Sequence, residues 1–179
     1  MGEEEAWLER LAQGDSLALH ALMDAYGDVV LRTAYLLLGD RHLAEDISQE
    51  VFITVYRKHH QLKQVSRLQA WIVGITMNRC RAWMRRSSWK RLFYRGMIEE
   101  KKVDAAVEDH TIEVRLELKA CLQYLPYKYR EVITLHYYHD WSSSQIAETL
   151  GISEGTVKSQ LSRARQQLKG IMLERGWEL

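Results

Sequence analysis

The sequence predicts an all-α protein of two small helical domains joined by a flexible linker, with a helix-turn-helix in the second domain. Three observations predict this fold class. Apolar residues recur at helical spacing along most of the chain, no window shows sustained strand alternation, and the periodicity lapses over residues 87–112. This lapse separates a first domain over residues 1–86 from a second over residues 113–179. The 179 residues, 46% of them apolar, are enough for two small folded domains.

Four helices are predicted in the first domain. Two of them precede the break at Gly39-Asp40, and their apolar faces are formed by Leu19, Leu22, Met23 and Tyr26 and by Val30, Ala34, Leu37 and Leu38. The third helix, from His42 onward, buries an apolar stripe and presents an acidic, amide-rich outer face. The fourth follows a polar connector that ends near Ser66 and carries Trp71 into a basic block.

The net charge of +1 conceals a separation of charge along the chain. Every charged residue from Arg79 to Arg95 is basic, whereas acids outnumber bases from Glu99 to Glu117. Charged residues without helical periodicity are typical of a solvated tether. Residues 87–112 are therefore predicted to be a linker that is basic at its start and acidic after it.

The sequence contains no apolar run of the roughly 20 residues that a membrane helix needs. Its start, Met1-Gly-Glu-Glu-Glu5, is acidic where a signal peptide would be basic. The two cysteines, Cys80 and Cys121, lie far apart in the sequence and predict reduced, partly buried thiols rather than a disulfide framework. These features predict a cytoplasmic protein.

The second domain begins with helical periodicity from Glu113, and Pro126 lies where it can open a further helix. The apolar side of that helix is predicted to consist of Tyr129, Val132, Ile133, His136 and Tyr137.

A helix-turn-helix is predicted between Ser142 and Arg165. Ser142 and Gln145 have the spacing of a capping box, Gly151 supplies the turn, and Ser153 can cap the next helix. The apolar residues of that second helix recur at i, i+4, i+7 and i+11 and must face inward: Val157, Leu161, Ala164 and Leu168.

The opposite face of this second helix carries short hydrogen-bonding side chains and cations. Its residues are Thr156, Lys158, Ser159, Ser162, Arg163 and Gln166. Short side chains allow a helix to approach base edges, Arg and Gln can make bidentate bonds to bases, and Lys and Arg bind phosphates. The pattern therefore indicates a helix that reads the major groove of duplex DNA.

The fourth helix of the first domain combines cations, an amide and aromatic rings. Its candidate nucleic-acid contacts are Asn78, Arg79, Arg81, Arg85 and Arg86, with Trp71 and Trp83 nearby. Aromatic faces stack on exposed bases while arginines follow phosphates, so this mixture suits partly unstacked nucleic acid. The alternative for Trp71 is a core position, because it falls on the apolar stripe.

Four motifs in order make the chain resemble the extracytoplasmic-function (ECF) group of bacterial sigma factors, within the sigma-70 family. They are Ala44-Glu-Asp-Ile-Ser-Gln-Glu-Val-Phe52, Trp71-Ile-Val-Gly-Ile-Thr-Met-Asn-Arg79, Leu125-Pro-Tyr-Lys-Tyr-Arg130 and Ile146-Ala-Glu-Thr-Leu-Gly-Ile-Ser-Glu-Gly-Thr-Val-Lys-Ser159. The resemblance spans residues 15–172.

The resemblance implies a sigma factor that binds core RNA polymerase, directs it to the −35 and −10 promoter elements and assists promoter melting. Residues 15–86 resemble region 2 and residues 113–172 resemble region 4. The third helix would contact core polymerase through Asp46, Gln49, Glu50 and Ile53. The basic helix would bind the non-template strand of the −10 element, and the helix-turn-helix would read the −35 duplex.

The resemblance also implies an anti-sigma factor as a partner, often a membrane protein that would hold the chain at the membrane, and an acidic linker that mimics nucleic acid in polymerase channels. Two positions depart from the family pattern. Ala82 replaces a common acid, and Gln160 replaces a common arginine. Both departures bear on promoter preference or backbone contact.

Two other classes remain as alternatives. A conventional regulator would bind duplex DNA unaided as a dimer through the helix-turn-helix, with residues 1–86 sensing a ligand. An enzyme would need ligands such as His136 and His139, but this i, i+3 pair has no cysteine or carboxylate cluster beside it, and no catalytic motif appears. We therefore expect no catalytic residue, metal, cofactor or small-molecule substrate.

Overall fold

A computed structural model describes residues 2–93 and 119–177, with the backbone alone for residues 87–93. The chain divides into two compact units, Met1–Ser87 and Ser88–Leu179. All regular elements within the described ranges are helical, which confirms the all-α fold class. Most of the predicted linker, residues 94–112, lies outside the described residues.

The first unit consists of four helices. They are α1 (Glu3–Ala12), α2 (Ser16–Leu38), α3 (Arg41–Lys58) and α4 (Leu68–Phe93), with 3₁₀ turns at His59–Gln61 and Val65–Arg67 between the last two. The Asp15 and Asp40 carboxylates accept hydrogen bonds from the backbone of the first turns of α2 and α3. Gly39 ends α2 in the left-handed conformation, with a φ of 69°.

The prediction of two helices between Leu19 and Leu38 is wrong, because α2 is one helix of 23 residues. Its buried residues continue at intervals of three or four without interruption: Ala18, Leu22, Tyr26, Val30, Ala34 and Leu37. Such a stripe keeps one helix against the core, and an interior glycine at position 27 costs only about 1 kcal/mol. Met23, predicted on the apolar face, is 40% exposed.

Helix α1 was not predicted. It packs on α2, its Leu11 is buried, and the Tyr26 hydroxyl donates a hydrogen bond to the Glu4 carboxylate. Burial and this carboxylate together raise the pKa of Tyr26. One buried leucine in an acidic segment is too weak a signal for a prediction from sequence.

The second unit contains a described helical segment α5 (residues 119–124), then α6 (Tyr127–Ile133), α7 (Ser143–Leu150) and α8 (Glu154–Glu174). Pro126 is the residue immediately before α6, so a helix does begin at the proline. Cys80 in the first unit and Cys121 in the second are buried and form no disulfide.

A π-helical turn, Thr134–Tyr138, follows α6 and changes the predicted apolar face. The His139 N–H donates to the Thr134 carbonyl at 3.3 Å, five residues back. The wider turn rotates the following side chains relative to an α-helix. Tyr137 is consequently 58% exposed, so its predicted inward position is wrong, whereas Tyr129, Val132 and Ile133 are buried as predicted.

We expect two glycine substitutions in the second unit to change stability in opposite directions. Gly151 has a φ of 66° at the end of α7, whereas Gly170 lies within α8, and a Cβ at either would meet no atom within 4 Å. Gly151→Ala should destabilise by about 1–2 kcal/mol because of its left-handed conformation. Gly170→Ala should stabilise by roughly 0.5–1 kcal/mol. Thermal unfolding followed by circular dichroism measures both, and equal shifts would contradict the assignment of the turn.

The stability of the second unit should also depend on pH through His139. Burial lowers the pKa of His139 to about 4, from an ordinary value of 6.5. The unfolded chain therefore takes up a proton as the pH falls below 6.5, while the native imidazole stays neutral until about 4, so stability is lost across this window.

Urea unfolding of wild type and His139→Gln at pH 5 and pH 7.5 measures this effect. The wild type should lose more stability between the two pH values than the variant does. The same substitution at exposed His20, on the first unit, controls for the loss of a histidine. An identical pH dependence in His139→Gln would show that His139 makes no contribution.

Candidate nucleic-acid interface

The helix-turn-helix consists of α7, a turn at Gly151 and α8. The Ser142 hydroxyl accepts from the Gln145 N–H, and the Gln145 side chain accepts from the Ser142 N–H at 2.9 Å, which completes the predicted capping box. Ser153 caps α8 by accepting from the Thr156 N–H at 3.1 Å. Two caps and one left-handed glycine thus determine where α8 begins after α7.

The rotation of α8 is determined by its buried side. Val157, Leu161 and Ala164 are buried, and Leu168 is half-buried toward the end of the helix. The opposite side, which we call the reading face, consists of Thr156, Lys158, Ser159, Ser162, Arg163 and Gln166. All of these are exposed except Thr156, which is half-buried.

Three members of the reading face have partners within α8 or at its N-cap. The Thr156 hydroxyl lies 2.8 Å from that of Ser153, Ser159 donates to the Thr156 carbonyl at 2.9 Å, and Lys158 pairs with Glu154 at 2.7 Å. Within the described residues, Ser162, Arg163 and Gln166 make no side-chain hydrogen bond or ion pair. These three side chains can therefore bind a ligand without first breaking an internal contact.

In the first unit, the predicted contacts of α4 lie on different sides of the helix. Asn78 and Arg85 are exposed and lie seven residues apart on one side of the helix, with Ala82 between them. Trp71, which is half-buried, lies on the same side two turns before Asn78. Because Ala82 bears no charge, no acid separates the amide from the guanidinium. This combination of an aromatic ring, an amide and a cation suits an unstacked base and its phosphate.

The other predicted arginines of α4 differ in their surroundings. Arg86 is exposed, and Arg81 is half-buried. Arg79 points to α3, where it pairs with Glu50 at 3.3 Å and donates to the Thr54 hydroxyl at 2.7 Å. Its guanidinium is therefore already engaged in the protein. Trp83 is half-buried, and the side chain of Trp89 lies outside the described residues.

An exposed stripe follows α3 opposite its buried side. Asp46, Gln49, Glu50 and Ile53 succeed one another at i, i+3, i+4 and i+7 and are all exposed, and we call them the acidic stripe. Ile53 is 50% exposed, although the buried stripe of the same helix includes Ile47 and Val51. An exposed isoleucine one turn beyond a carboxylate is typical of a protein contact.

The sequence analysis missed Tyr56, which is 42% exposed one turn beyond Ile53. The signal was present, because Tyr56 continues the stripe at i+3, but its aromatic side chain reads equally well as core. It extends the acidic stripe with an apolar ring that carries a hydroxyl.

Other kinds of site find no support in the described ranges. No three His, Cys, Asp or Glu residues there are grouped so that they could hold a metal ion. The His136 Nδ1 lies 3.0 Å from the Trp141 carbonyl oxygen, at hydrogen-bonding distance from the loop before α7. None of the helices in those ranges has the length and apolar character needed to cross a membrane.

Comparison with protein families identifies two segments. Residues 22–90 match the model for sigma-70 region 2, and residues 115–168 match the model for sigma-70 region 4. The first match contains α3 and most of α4, and the second contains α7, the turn at Gly151 and α8 as far as residue 168.

Curated relatives match nearly the whole chain. The ECF RNA polymerase sigma factor SigE of Mycolicibacterium smegmatis is 32% identical, over 93% of this chain and 67% of the relative. SigW of Bacillus subtilis, another ECF sigma factor, is 30% identical over 90% of this chain and 92% of its own length. SigL of Mycobacterium tuberculosis is 31% identical over 92% of this chain and 94% of the relative.

Two solved structures share the fold. The sigma factor RpoE of Bartonella quintana, in complex with the anti-sigma factor NepR, aligns with a TM-score of 0.74 and 24% identity, covering 86% of this chain and 95% of that one. CnrH, in complex with the cytosolic domain of CnrY, aligns with a TM-score of 0.68 and 20% identity over 97% and 99% of the two chains. With relatives above 30% identity along most of its length and matches to both sigma-70 regions, the chain belongs to the ECF family of sigma factors.

Proposed function

We propose that this ECF sigma factor uses three surfaces to start transcription. The acidic stripe on α3 binds core RNA polymerase. The side of α4 with Asn78 and Arg85, together with Arg81 and Arg86, binds the non-template strand of the −10 element. The reading face of α8 binds the −35 element as duplex DNA.

The observation that carries this proposal is that the first unit has an acidic surface and a cationic surface on neighbouring helices. The acidic stripe of α3 lies beside α4, whose exposed residues include Asn78, Arg85 and Arg86. A stand-alone regulator needs only the basic helix-turn-helix and gives no reason for an exposed acidic stripe. A protein that joins polymerase to promoter DNA needs one surface for each partner, and acids on the polymerase side avoid competition from DNA.

The proposed chemistry at the −35 element is direct reading of base edges. Arg163 and Gln166 have the donors and acceptors for bidentate bonds to guanine and adenine, and Ser159 and Ser162 are short enough to allow a close approach. Lys158 reaches a phosphate only if it exchanges its bond to Glu154, which is exposed and therefore weak. The N-terminus of α8 adds a favourable position for a phosphate.

At the −10 element the proposed interaction is with separated strands. An exposed amide at Asn78 can bond to a base edge, Trp71 offers part of a ring face, and Arg85 and Arg86 follow the backbone. Binding energy gained with the single strand then offsets the cost of opening the duplex. We assign no catalytic group to this chain, and the phosphodiester chemistry belongs to the polymerase.

An anti-sigma factor is the third proposed partner. Of the two solved structures of similar fold, RpoE is bound to an anti-sigma factor, and CnrH is bound to the cytosolic domain of CnrY. We expect this chain to act in the cytoplasm, where core polymerase is found, and to be held inactive there by a partner that covers one of its three proposed binding surfaces.

Loss of the Arg163 side chain should weaken recognition of the −35 element. Since one bidentate contact contributes about 1–3 kcal/mol of base discrimination, Arg163→Ala should reduce transcription from a −35-dependent promoter roughly tenfold or more. In vitro transcription with reconstituted holoenzyme measures the change. Arg165→Ala, with the same loss of charge at the flank of α8, should instead weaken binding equally for all sequences. Unchanged discrimination in Arg163→Ala would contradict the proposed reading face.

Neutralising Asp46 and truncating Gln49 in the acidic stripe should weaken assembly with core polymerase. The variant Asp46→Asn with Gln49→Ala should bind core polymerase about tenfold less tightly, which corresponds to about 1.4 kcal/mol for the two changes together and lies within the range of interface side chains. Fluorescence anisotropy of labelled sigma factor measures the affinity without knowledge of the promoter. Asp28→Asn, an exposed acid on α2, is the control. Undiminished affinity in a variant with native circular dichroism would remove these residues from the interface.

A further inference from the structure

Arg79 connects the promoter-facing helix to the polymerase-facing helix. Its Nη1 lies 3.3 Å from Oε2 of Glu50, and its Nη2 donates to Oγ1 of Thr54 at 2.7 Å. Glu50 and Thr54 lie one turn apart on α3, so a single guanidinium spans one turn of the neighbouring helix. Its two contacts differ in strength, because the bond to Thr54 is short and the one to Glu50 is long for a charged pair.

Thr54 is the anchor of this arrangement. It is only 7% exposed, and its hydroxyl donates to the Glu50 carbonyl at 2.7 Å while it accepts from Arg79. The hydroxyl proton and one lone pair are therefore each used in a hydrogen bond, and this fixes the orientation of the hydroxyl group. The guanidinium is held by this hydroxyl, and its second nitrogen is thereby placed beside the Glu50 carboxylate.

The Glu50 carboxylate keeps the capacity to bind a partner. Its side chain is 55% exposed, and within the described residues its other oxygen, Oε1, has no hydrogen bond or ion pair. Asp46 lies four residues earlier on the same stripe, at the spacing where two carboxylates repel each other. Arg79 offsets this repulsion and restricts the rotamers of Glu50, so that less conformational entropy is lost on binding.

We propose that Arg79 is a positioning residue for polymerase binding, which orients the Glu50 carboxylate within the acidic stripe and does not contact promoter DNA. This inference rests on the proposed function of the stripe. It departs from the sequence-based assignment of Arg79 to the −10 set. On α4, Arg79 is rotated by about 100° from Asn78, toward α3 and away from the side that carries Asn78 and Arg85.

The test compares four variants in two binding assays. The variants are Arg79→Gln, Thr54→Val, Glu50→Gln and the double variant Arg79→Gln with Glu50→Gln. The first assay measures affinity for core polymerase by anisotropy. The second measures binding of a single-stranded −10 oligonucleotide to holoenzyme assembled at saturating core polymerase. Arg32→Gln is the matched control, because Arg32 forms an exposed ion pair with Asp28 at 2.7 Å and both residues of this pair lie on α2.

We expect Arg79→Gln to weaken core binding about threefold to tenfold, within the range of coupling between contacting residues. Thr54→Val should act in the same direction, although the nearly buried Thr54 cannot touch a partner. The double variant should bind no more weakly than Glu50→Gln alone, because Arg79 acts through Glu50. Oligonucleotide binding should stay at the wild-type level in Arg79→Gln, and Arg32→Gln should match the wild type in both assays.

Two results would overturn the inference. One is wild-type core affinity in Arg79→Gln, and weaker oligonucleotide binding in the same variant would then make Arg79 a direct DNA contact. The other is additive losses in the double variant, which would mean that Arg79 acts independently of Glu50. If Arg79→Gln does not fold, Arg79→Lys replaces it, since one ammonium cannot satisfy Thr54 and Glu50 as the forked guanidinium does. Its core affinity should lie below wild type, and wild-type affinity would refute the inference.

The same experiment separates this inference from the function on which it rests. If Asp46→Asn with Gln49→Ala leaves core binding unchanged, the acidic stripe itself is not the polymerase surface. If that variant binds core polymerase weakly while Arg79→Gln binds it normally, the acidic stripe remains the proposed polymerase surface and only the positioning role of Arg79 is refuted.

Discussion

Burial of one apolar stripe on each helix is the constraint on which the functional surfaces depend. In α3 the burial of Ala44, Ile47 and Val51 fixes the rotation of the helix and so turns Asp46 and Glu50 outward. In α8 the burial of Val157, Leu161 and Ala164 does the same for the reading face. The hydrophobic effect specifies which side chains lie inside, and the helical period then decides which ones a partner can touch.

The helix ends set the position of each surface along its helix. Asp40 begins α3, Ser153 begins α8, and Gly151 lets the chain reverse between α7 and α8. Each cap contributes only about 1 kcal/mol to stability. Their effect on function is larger than this energy indicates, because a shift of one residue at Ser153 would rotate every side chain of the reading face by about 100°.

The acidic stripe and the proposed DNA-binding cations of the first unit lie on different helices, as the proposed binding of two macromolecular partners requires. Acids lie on the exposed side of α3, whereas Asn78 and Arg85 lie on the exposed side of α4. Arg79 lies between these surfaces and directs its charge toward the acids through Glu50 and Thr54. A cation that is already paired in this way contributes little to the attraction of DNA, and it partly neutralises the charge of the acidic stripe.

The amino-acid sequence by itself determined the helical class, the capped helix-turn-helix, the outward residues of α3 and α8, and the family resemblance, since these follow from local periodicity and short motifs. Tertiary structure decided the rest. Continuous packing made α2 one helix across Gly27, a π turn exposed Tyr137, and α1 packs on α2 with Leu11 buried. The partner of Arg79 also required the fold, because Glu50 and Thr54 are 29 and 25 residues away in sequence, and periodicity carries no information over such separations.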